Sequence, residues 1–517
     1  MPSYVDFSGR PFNFIGIGGI GMSALAYILA KRDLPIYGSD LRTSHITQRL
    51  ESLGVHVFGD QDASNFDVFS HTPPAEPALT QVGLGEVGLA RRSSVRMTEI
   101  SQKSCNGNGN GNGQVSVALD LPQVICSTAI HPDNAEYKAA IALGCTIFHR
   151  SDLLAALVQE YQSVAVAGTH GKTTTSSLTA FMLLQAGLDP TVLIGGEVSA
   201  WEGNARTGHS PYMVVEADES DGSLVKLAAK VGIITNIELD HPDHYENLDQ
   251  VIDIFKTFVD NCETLVGCID CHTVREKIDL DVTYSLDPDL GADYTVDSVE
   301  YHAGGTTARV WERGEMIGHL QLQLLGRHNL QNALASVAVG RLFGLDFPTI
   351  AAGLAGFEGT RRRFEHRGYH KDILFVDDYA HHPSEIRATL SAADLKKQED
   401  CDPTDRVPIQ RVVAIFQPHR YSRTLKFLNE FAQSFDQADL VVITDVYSAG
   451  EPNLDQITGQ HLANSIAEHH PQVLYRQSLD SVKALLTEAL QPGDLALFLG
   501  AGNLNQIIPD VMAFYST

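Results

Sequence analysis

Ser163-Val-Ala-Val-Ala-Gly-Thr-His-Gly-Lys-Thr-Thr-Thr175 runs an apolar strand into a glycine turn that ends in Gly-Lys-Thr. Such a corner cradles phosphate. Gly168 and Gly171 let backbone N–H groups approach the β-phosphate, Lys172 reaches the β/γ-oxygens, and the Thr173 hydroxyl is placed to ligate Mg²⁺. A strict P-loop has glycine where this chain has Val166, so the motif is a variant Walker A. Strand, turn and a helix over 174–186 closed by Gly187 follow in the order the motif requires. An ordinary strand–turn–helix corner is the competing reading.

Downstream, strands over 191–194, 212–216 and 231–236 alternate with glycine turns and helical stretches, the βα pattern of a parallel sheet. Two of them end in loops rich in acids and histidines, Glu216-Ala-Asp-Glu-Ser-Asp221 and Asn236-Ile-Glu-Leu-Asp-His-Pro-Asp-His244. Ligands of α/β sheets collect at such strand ends, so both loops are expected to face the phosphates. A carboxylate from Glu216 and an imidazole from His241 beside Thr173 suit Mg²⁺ bridging nucleotide phosphates.

Upstream, a strand over 12–17 leads into Gly16-x-Gly18-x-x-Gly21 and a helix over 22–32, with Asp40 closing a second strand over 35–39. Glycines ahead of a helix bind any pyrophosphate, so this fingerprint fits a UDP-sugar as well as NAD. The apolar run 12–30 is neither signal peptide nor membrane span, because glycines and Asn13 interrupt it. Periodicity is lost from about 71 to 122, where Asn106-Gly-Asn-Gly-Asn-Gly-Asn-Gly113 cannot bury a core and reads as a disordered surface insertion. Strands over 124–130 and 145–148 and a helix over 152–161 complete the first unit.

After a β-rich stretch over 294–325, Asn329 is placed to cap the next helix, and the Asn332 amide can bond the edge of adenine. Capping alone would give the same spacing. From Phe347 onward, strands over 373–377, 412–416, 440–444 and 495–499 again alternate with helices. Arg420 and Arg423, three apart, can fork a carboxylate or lie solvated at the surface. Arg361-Arg-Arg363 contacts phosphate or stabilises a hinge. The chain thus reads as α/β in three domains: Rossmann-like over 1–160, a central P-loop ATP-binding domain over 161–346, and Rossmann-like over 347–517.

Sixty-four acids against 37 Lys and Arg give a net charge of −27 over 517 residues, which disfavours nucleic acid or an anionic membrane as main partner. Seven scattered cysteines do not form a disulfide framework and indicate a reducing cytoplasm. Cys268-Ile-Asp-Cys271 has metal or redox spacing but no second pair, so both read as free thiols.

Together these motifs resemble the Mur ligases, ATP-dependent amide-forming enzymes of peptidoglycan precursor synthesis. The resemblance runs from Phe12 to about Ile507 and rests on Phe14-Ile-Gly-Ile-Gly-Gly-Ile-Gly-Met22, Gly38-Ser-Asp40, the P-loop and Glu216-Ala-Asp-Glu-Ser-Asp221. It rests equally on His328-Asn-Leu-Gln-Asn332, Asp377-Asp-Tyr-Ala-His-His-Pro383 and Gln417-Pro-His-Arg-Tyr-Ser-Arg-Thr424. It implies a cytoplasmic enzyme of cell-wall biogenesis, monomer or weak homodimer, resembling the alanine-adding branch. UDP-N-acetylmuramate would lie on Gly18, Gly19, Ile20, Gly21, Asp40 and Ser127. ATP would lie on Gly168, Thr169, His170, Gly171, Lys172, Thr173 and Thr174, with His328, Asn332 and Asp378. Thr173, Glu216 and His241 would place Mg²⁺. Tyr379, His381, Arg420 and Arg423 would hold L-alanine, with Lys172, His381 and Arg420 catalytic. The lactoyl carboxylate would attack the γ-phosphate, and the alanine amine would displace phosphate from the acyl phosphate. Relatives outside that branch carry a carbamylated lysine, for which Lys256 has the spacing; the alanine-adding branch resembles a version without it, and Lys256 is left outside the site. The rival functions are the sibling ligase that attaches a recycled tripeptide, an NAD-dependent dehydrogenase and a non-catalytic nucleotide sensor.

Overall fold

A computed structural model describes residues 4–69, 121–398 and 407–516. The insertion expected over about 71–122 lies, apart from Leu121 and Pro122, outside the described residues. Among the described residues, three sheets follow one another along the chain. The first comprises β1 (Phe12–Ile15), β2 (Ile36–Ser39), β3 (His56–Phe58), β4 (Gln123–Cys126) and β5 (Thr146–His149), all parallel, in the order β3-β2-β1-β4-β5. All of β1 is buried, as expected of a strand covered on both faces, and its one polar residue, Asn13, donates to Glu136 at 3.0 Å. The chain direction of winding reverses between β1 and β4, the place where such sheets bind ligands.

The central sheet has ten strands: β6 (Gln162–Ala167), β7 (Thr191–Val198), β8 (Gly203–Arg206), β9 (Tyr212–Glu216), β10 (Val231–Ile234), β11 (Thr264–Cys268), β12 (Val282–Tyr284), β13 (Tyr294–His302), β14 (Gly305–Glu312) and β15 (Glu315–Leu322). Their order is β15-β14-β13-β12-β11-β10-β6-β9-β7-β8. The expected parallel core is there, bordered by antiparallel β8 on one side and the β13–β15 meander on the other. β6 lies between β10 and β9, so the loops after all three strands meet at one edge.

The third sheet comprises β16 (Glu365–His370), β17 (Ile373–Asp378), β18 (Arg411–Phe416), β19 (Leu440–Ile443), β20 (Val473–Tyr475) and β21 (Asp494–Leu499), ordered β16-β17-β21-β18-β19-β20. Only β16 is antiparallel to its neighbour.

One boundary expected from sequence is displaced. The helix Phe347–Ala355, capped by Asp346 and read as the start of the third domain, packs on the central sheet. Its Ile350 and Leu354 share a core with Val164, Phe181 and Leu320, and the Phe347 ring fills the space a side chain on Gly318 would take. The passage to the third sheet therefore follows it, in residues 356–364. The first two units are also not separate in their packing, because one apolar cluster runs from Phe14 and Leu25 through Leu193 and Ala205 to Phe255.

Candidate active site

The P-loop turn follows β6 directly. Gly168 has φ 141°, and a Cβ there would stand 1.9 Å from Thr235 Oγ1; Gly171 has φ 83°, and a Cβ would stand 2.7 Å from Asn332 Oδ1. Both positions therefore need glycine for conformation and for space. Thr169 and His170 donate their backbone N–H to Asn236, which hangs the turn from the end of β10. Because left-handed Gly171 ends the turn, the helix begins at Lys172 (Lys172–Gln185), earlier than the sequence indicated.

Lys172 Nζ donates to the Gly168 carbonyl at 2.7 Å and to both oxygens of Glu219 at 2.8 and 2.7 Å. Thr173 Oγ1 donates to Glu216 Oε2 at 3.2 Å, and Glu216 Oε1 accepts the Gly195 N–H at 2.6 Å. His241, with φ 54°, places Nε2 3.9 Å from Glu219 Oε1 and 3.7 Å from Asp240 Oδ2. Burial disfavours every charge here. It raises Glu216, and it carries Glu219 up to about 7 against the pull of Lys172, with Asp218 adding to the rise. It lowers His241, while Glu219, Asp218 and Glu216 outweigh it at Lys172 and keep that ammonium charged. A hydroxyl, clustered carboxylates and a neutral imidazole, with carboxylates in excess over nearby cations, are a donor set suited to Mg²⁺.

A second group, His170, Glu238 and His382, brings its ligand atoms within 4.8 Å of one another. It is a poor metal site. His382 Nδ1 accepts the Ser384 N–H as a helix cap, which leaves the ring hydrogen on Nε2. His170 lies 3.3 Å from Glu385 and 3.5 Å from Glu238; these two carboxylates outweigh burial and lift the imidazole to about 10.

Three cavities open around the P-loop. One of about 300 Å³ is lined by His170, Gly171 and Thr174 from the central unit, by His328 and Asn332 from the helix Arg327–Leu342, and by Asp378 at the end of β17. The Asn332 amide is already engaged, accepting from Thr175 Oγ1 at 3.0 Å and donating to Asn329 at 3.3 Å. Asn329 does not cap this helix. Gly326, at φ 87°, starts it one turn earlier, and Asn329 donates to the Leu325 carbonyl instead. Burial and the nearby Arg363 lower His328 to about 4. Asp378 anchors its own loop through the N–H groups of Phe364 and Ala380, and burial raises it to about 6.

A cleft of about 500 Å³ joins all three sheets: Gly19, Ile20, Gly21 and Ser127 from the first, Lys172, Thr173, Glu216 and His241 from the central, Tyr379 and His381 from the third. Gly18 and Asp40 stand behind it. Asp40 accepts the backbone N–H of Gly18 at 2.8 Å and of Arg42 at 3.0 Å, so its carboxylate braces the glycine turn.

Tyr379, His381, Arg420 and Arg423 line the third cavity, of about 290 Å³. Here the structure adds a partner that the spacing did not show. Arg423 is 1% exposed, and its Nε and Nη2 lie on the two oxygens of Asp240 at 2.8 and 3.3 Å, so the fork expected to grip a substrate carboxylate already holds one of the protein's own. A guanidinium removed from water requires such a partner, and helical spacing could not reveal one 183 residues away. Arg420, more open, meets Asp243 at 2.9 Å and Glu451 at 3.1 Å.

Sequence reading missed Glu219 although it lies in the quoted acidic run, because nothing in a loop marks which acid turns inward. In the arginine triple, Arg361 pairs with Glu197 and Arg362 donates to the Gly500 carbonyl, while Arg363 lines both the first cavity and the cleft. Lys256 is exposed on the helix Leu248–Asn261. Cys268 and Cys271 are free thiols, and burial pushes Cys268 up to about 12.

A phosphate cradle beside a metal-suited set of acids, opening onto cavities shared with two Rossmann-like sheets, defines a P-loop α/β enzyme built to bring a nucleotide and other substrates together. Three family descriptions match along the chain: "Mur ligase family, catalytic domain" over 11–95, "Mur ligase middle domain" over 166–340, and "Mur ligase, glutamate ligase domain" over 362–502. A UDP-N-acetylmuramate–L-alanine ligase of Nostoc punctiforme is 60% identical over 515 residues, covering 100% of this chain and 98% of the relative. One from Synechococcus elongatus is 56% identical, covering 100% and 99%. Among solved structures, the UDP-N-acetylmuramate-alanine ligase of Thermotoga maritima superposes with a TM-score of 0.73 at 26% identity, covering 98% of this chain and 99% of that one. The chain belongs to the Mur ligase family.

Proposed function

We propose that the protein joins L-alanine to the lactoyl carboxylate of UDP-N-acetylmuramate, splitting ATP to ADP and phosphate, as a cytoplasmic step of peptidoglycan precursor synthesis. The observation that carries this reading is the match, at 56–60% identity along the whole chain, to relatives bearing that activity in their names. In keeping with it, glycine turn, P-loop and third-sheet loops open onto one cleft. No helix among the described residues is long and apolar enough to cross a membrane.

Carboxylate and triphosphate repel each other, and the cleft answers that repulsion. Lys172, released from Glu219, meets the transferring phosphoryl group. Thr173, Glu216 and His241 would hold Mg²⁺, which when bound offsets phosphate charge. The UDP-sugar rests on Gly19, Ile20, Gly21 and Ser127, with Gly18 and Asp40 shaping the turn beneath it. ATP lies along Gly168–Thr174 toward His328, Asn332 and Asp378. The amino acid enters between Tyr379, His381 and Arg420. Walls contributed by three sheets keep water from the acyl phosphate.

The test is phosphate release from ATP with UDP-N-acetylmuramate and each amino acid in turn, with a cell-wall tripeptide as a parallel arm. Release that depends on both the UDP-sugar and L-alanine is expected. Release that follows the tripeptide, or that ignores the UDP-sugar, would overturn the assignment.

A further inference from the structure

Glu385 lies in the first turn of the helix Pro383–Leu395, three residues past the cap residue His382. A carboxylate there completes a capping box, and its Oε2 does accept the His382 backbone N–H at 3.2 Å. The same oxygen also accepts the His381 N–H at 2.9 Å and lies 3.1 Å from His381 Nδ1. The other oxygen lies 3.3 Å from His170 Nδ1 in the P-loop. A cap needs only the first of these contacts. The remaining three run to the phosphate-binding turn and to a residue of the amino-acid cavity.

The hydrogen bonds around His381 fix its tautomer. Nδ1 faces two acceptors, the Tyr379 carbonyl at 3.0 Å and Glu385 Oε2, so the ring hydrogen belongs on Nδ1 and the lone pair on Nε2. Nε2 bonds to none of the described residues, and the ring lines both the three-sheet cleft and the smaller cavity. Burial holds the imidazole neutral, at about 3; Glu385 is the strongest influence in the opposite direction, with Arg423 lowering and Asp240 raising it.

We propose that Glu385 is a positioning residue for amide formation: it fixes the tautomer and ring plane of His381 so that Nε2 meets the amino group of the incoming amino acid, and through His170 it keeps that nitrogen in register with the P-loop. This rests on the ligase reading above. The α-ammonium leaves one proton in solvent as it enters, and the lone pair this frees forms the C–N bond at the acyl carbon. The C–O bond to phosphate breaks, and phosphate departs with that electron pair. The surplus proton of the nitrogen, now acidic, passes to His381 Nε2, which returns it to solvent. The arrangement is that of a base held by a carboxylate on its far nitrogen.

The experiment compares two nucleophiles on the full-length enzyme with ATP, Mg²⁺ and UDP-N-acetylmuramate. L-Alanine forms an adduct whose strongly basic nitrogen needs the base to lose its surplus proton before the amine is expelled again; hydroxylamine, far less basic, loses that proton to water and traps the acyl phosphate as a hydroxamate without it. Glu385→Gln keeps a capping oxygen and loses the charge. It should lower alanine-dependent turnover about ten- to a hundredfold, reaching only the low end of what positioned proton transfer supplies, while hydroxamate formation stays within about threefold of wild type. Equal losses with both nucleophiles would overturn the proposal and leave Glu385 as a cap or a support for phosphoryl transfer; no loss with either would overturn it as well. Should Glu385→Gln not fold, Glu385→Asp, which keeps the charge and shortens its reach, carries the same ratio test. Wild-type enzyme that forms hydroxamate but joins no amino acid would break the ligase reading instead.

Discussion

Lys172, partly buried, and Arg423, fully buried, are both cations set against a carboxylate from an acid-rich loop of the central sheet, yet the two pairs behave oppositely. Glu219, against Lys172, is carried by burial to about 7, so near neutral pH it holds its charge weakly. Asp240, against Arg423, is also penalised by burial, but Arg423 and then His241 outweigh that and hold it far below the ordinary carboxylate range. The first pair lies within one unit and can yield its lysine to a phosphate. The second spans two sheets and fastens them. Geometry alone would call both salt bridges; the electrostatics separate a cation in waiting from a cation in permanent use.

The largest expected effect breaks the fastened pair. Arg423→Ala leaves Asp240 buried without a partner and should cost about 3–5 kcal/mol of stability, read as an earlier urea midpoint, with part of the loss recovered when Asp240→Asn is added. Unchanged unfolding together with a raised KM for alanine would erase the contrast and return Arg423 to substrate binding. Next comes the yielding pair. Lys172→Ala should lower ligation by roughly a hundred- to a thousandfold, the cost of one transition-state donor, while calorimetric binding of the UDP-sugar is retained; equal loss of both would mean damage to the fold.

A third, smaller effect sharpens the electrostatic side. The unfolded chain ionises Glu219 near 4.5 and the native protein near 7, so the native state binds the extra proton between those values and stability falls as pH rises through the window. Between pH 6 and 7 wild type should lose about 1 kcal/mol more than Glu219→Gln, measured by urea unfolding at each pH; parallel curves would refute the raised value. The smallest effect is a control on the metal set. Lys256→Ala, on an exposed helix face, should leave stability within about 0.5 kcal/mol and Mg²⁺ dependence unaltered, and a large rise in the Mg²⁺ requirement would put a modified lysine back in the site.

What was legible in sequence was local. Gly168, Gly171, Lys172 and Thr173 fall within one short run of chain, their order dictates the turn, and β6 and its helix stand within two residues of where the pattern placed them. The acids that decide how those cations behave were not legible, because Glu219 is one of several in a loop without period and Asp240 reaches Arg423 across 183 residues. The helix Phe347–Ala355 failed for a related reason: Asp346 and Pro348 announce a helix start, but only the packing of Phe347 over Gly318 says which sheet it serves. Glu385 could be read as a capping acid from His382-Pro-Ser-Glu385, whereas its second oxygen, on His170, is a fact of the folded chain alone.

The placement of β21 has a consequence for how the molecule is made. β17 and β18, whose ends carry Tyr379, His381, Arg420 and Arg423, are not hydrogen-bonded to each other; β21 lies between them. Of these three strands β21 leaves the ribosome last. Until then both site-bearing strands present a bare edge, open to the wrong neighbour. The P-loop sheet has its described strands by residue 322, so the nascent chain can assemble the P-loop turn long before the strands proposed to hold the amino acid are paired.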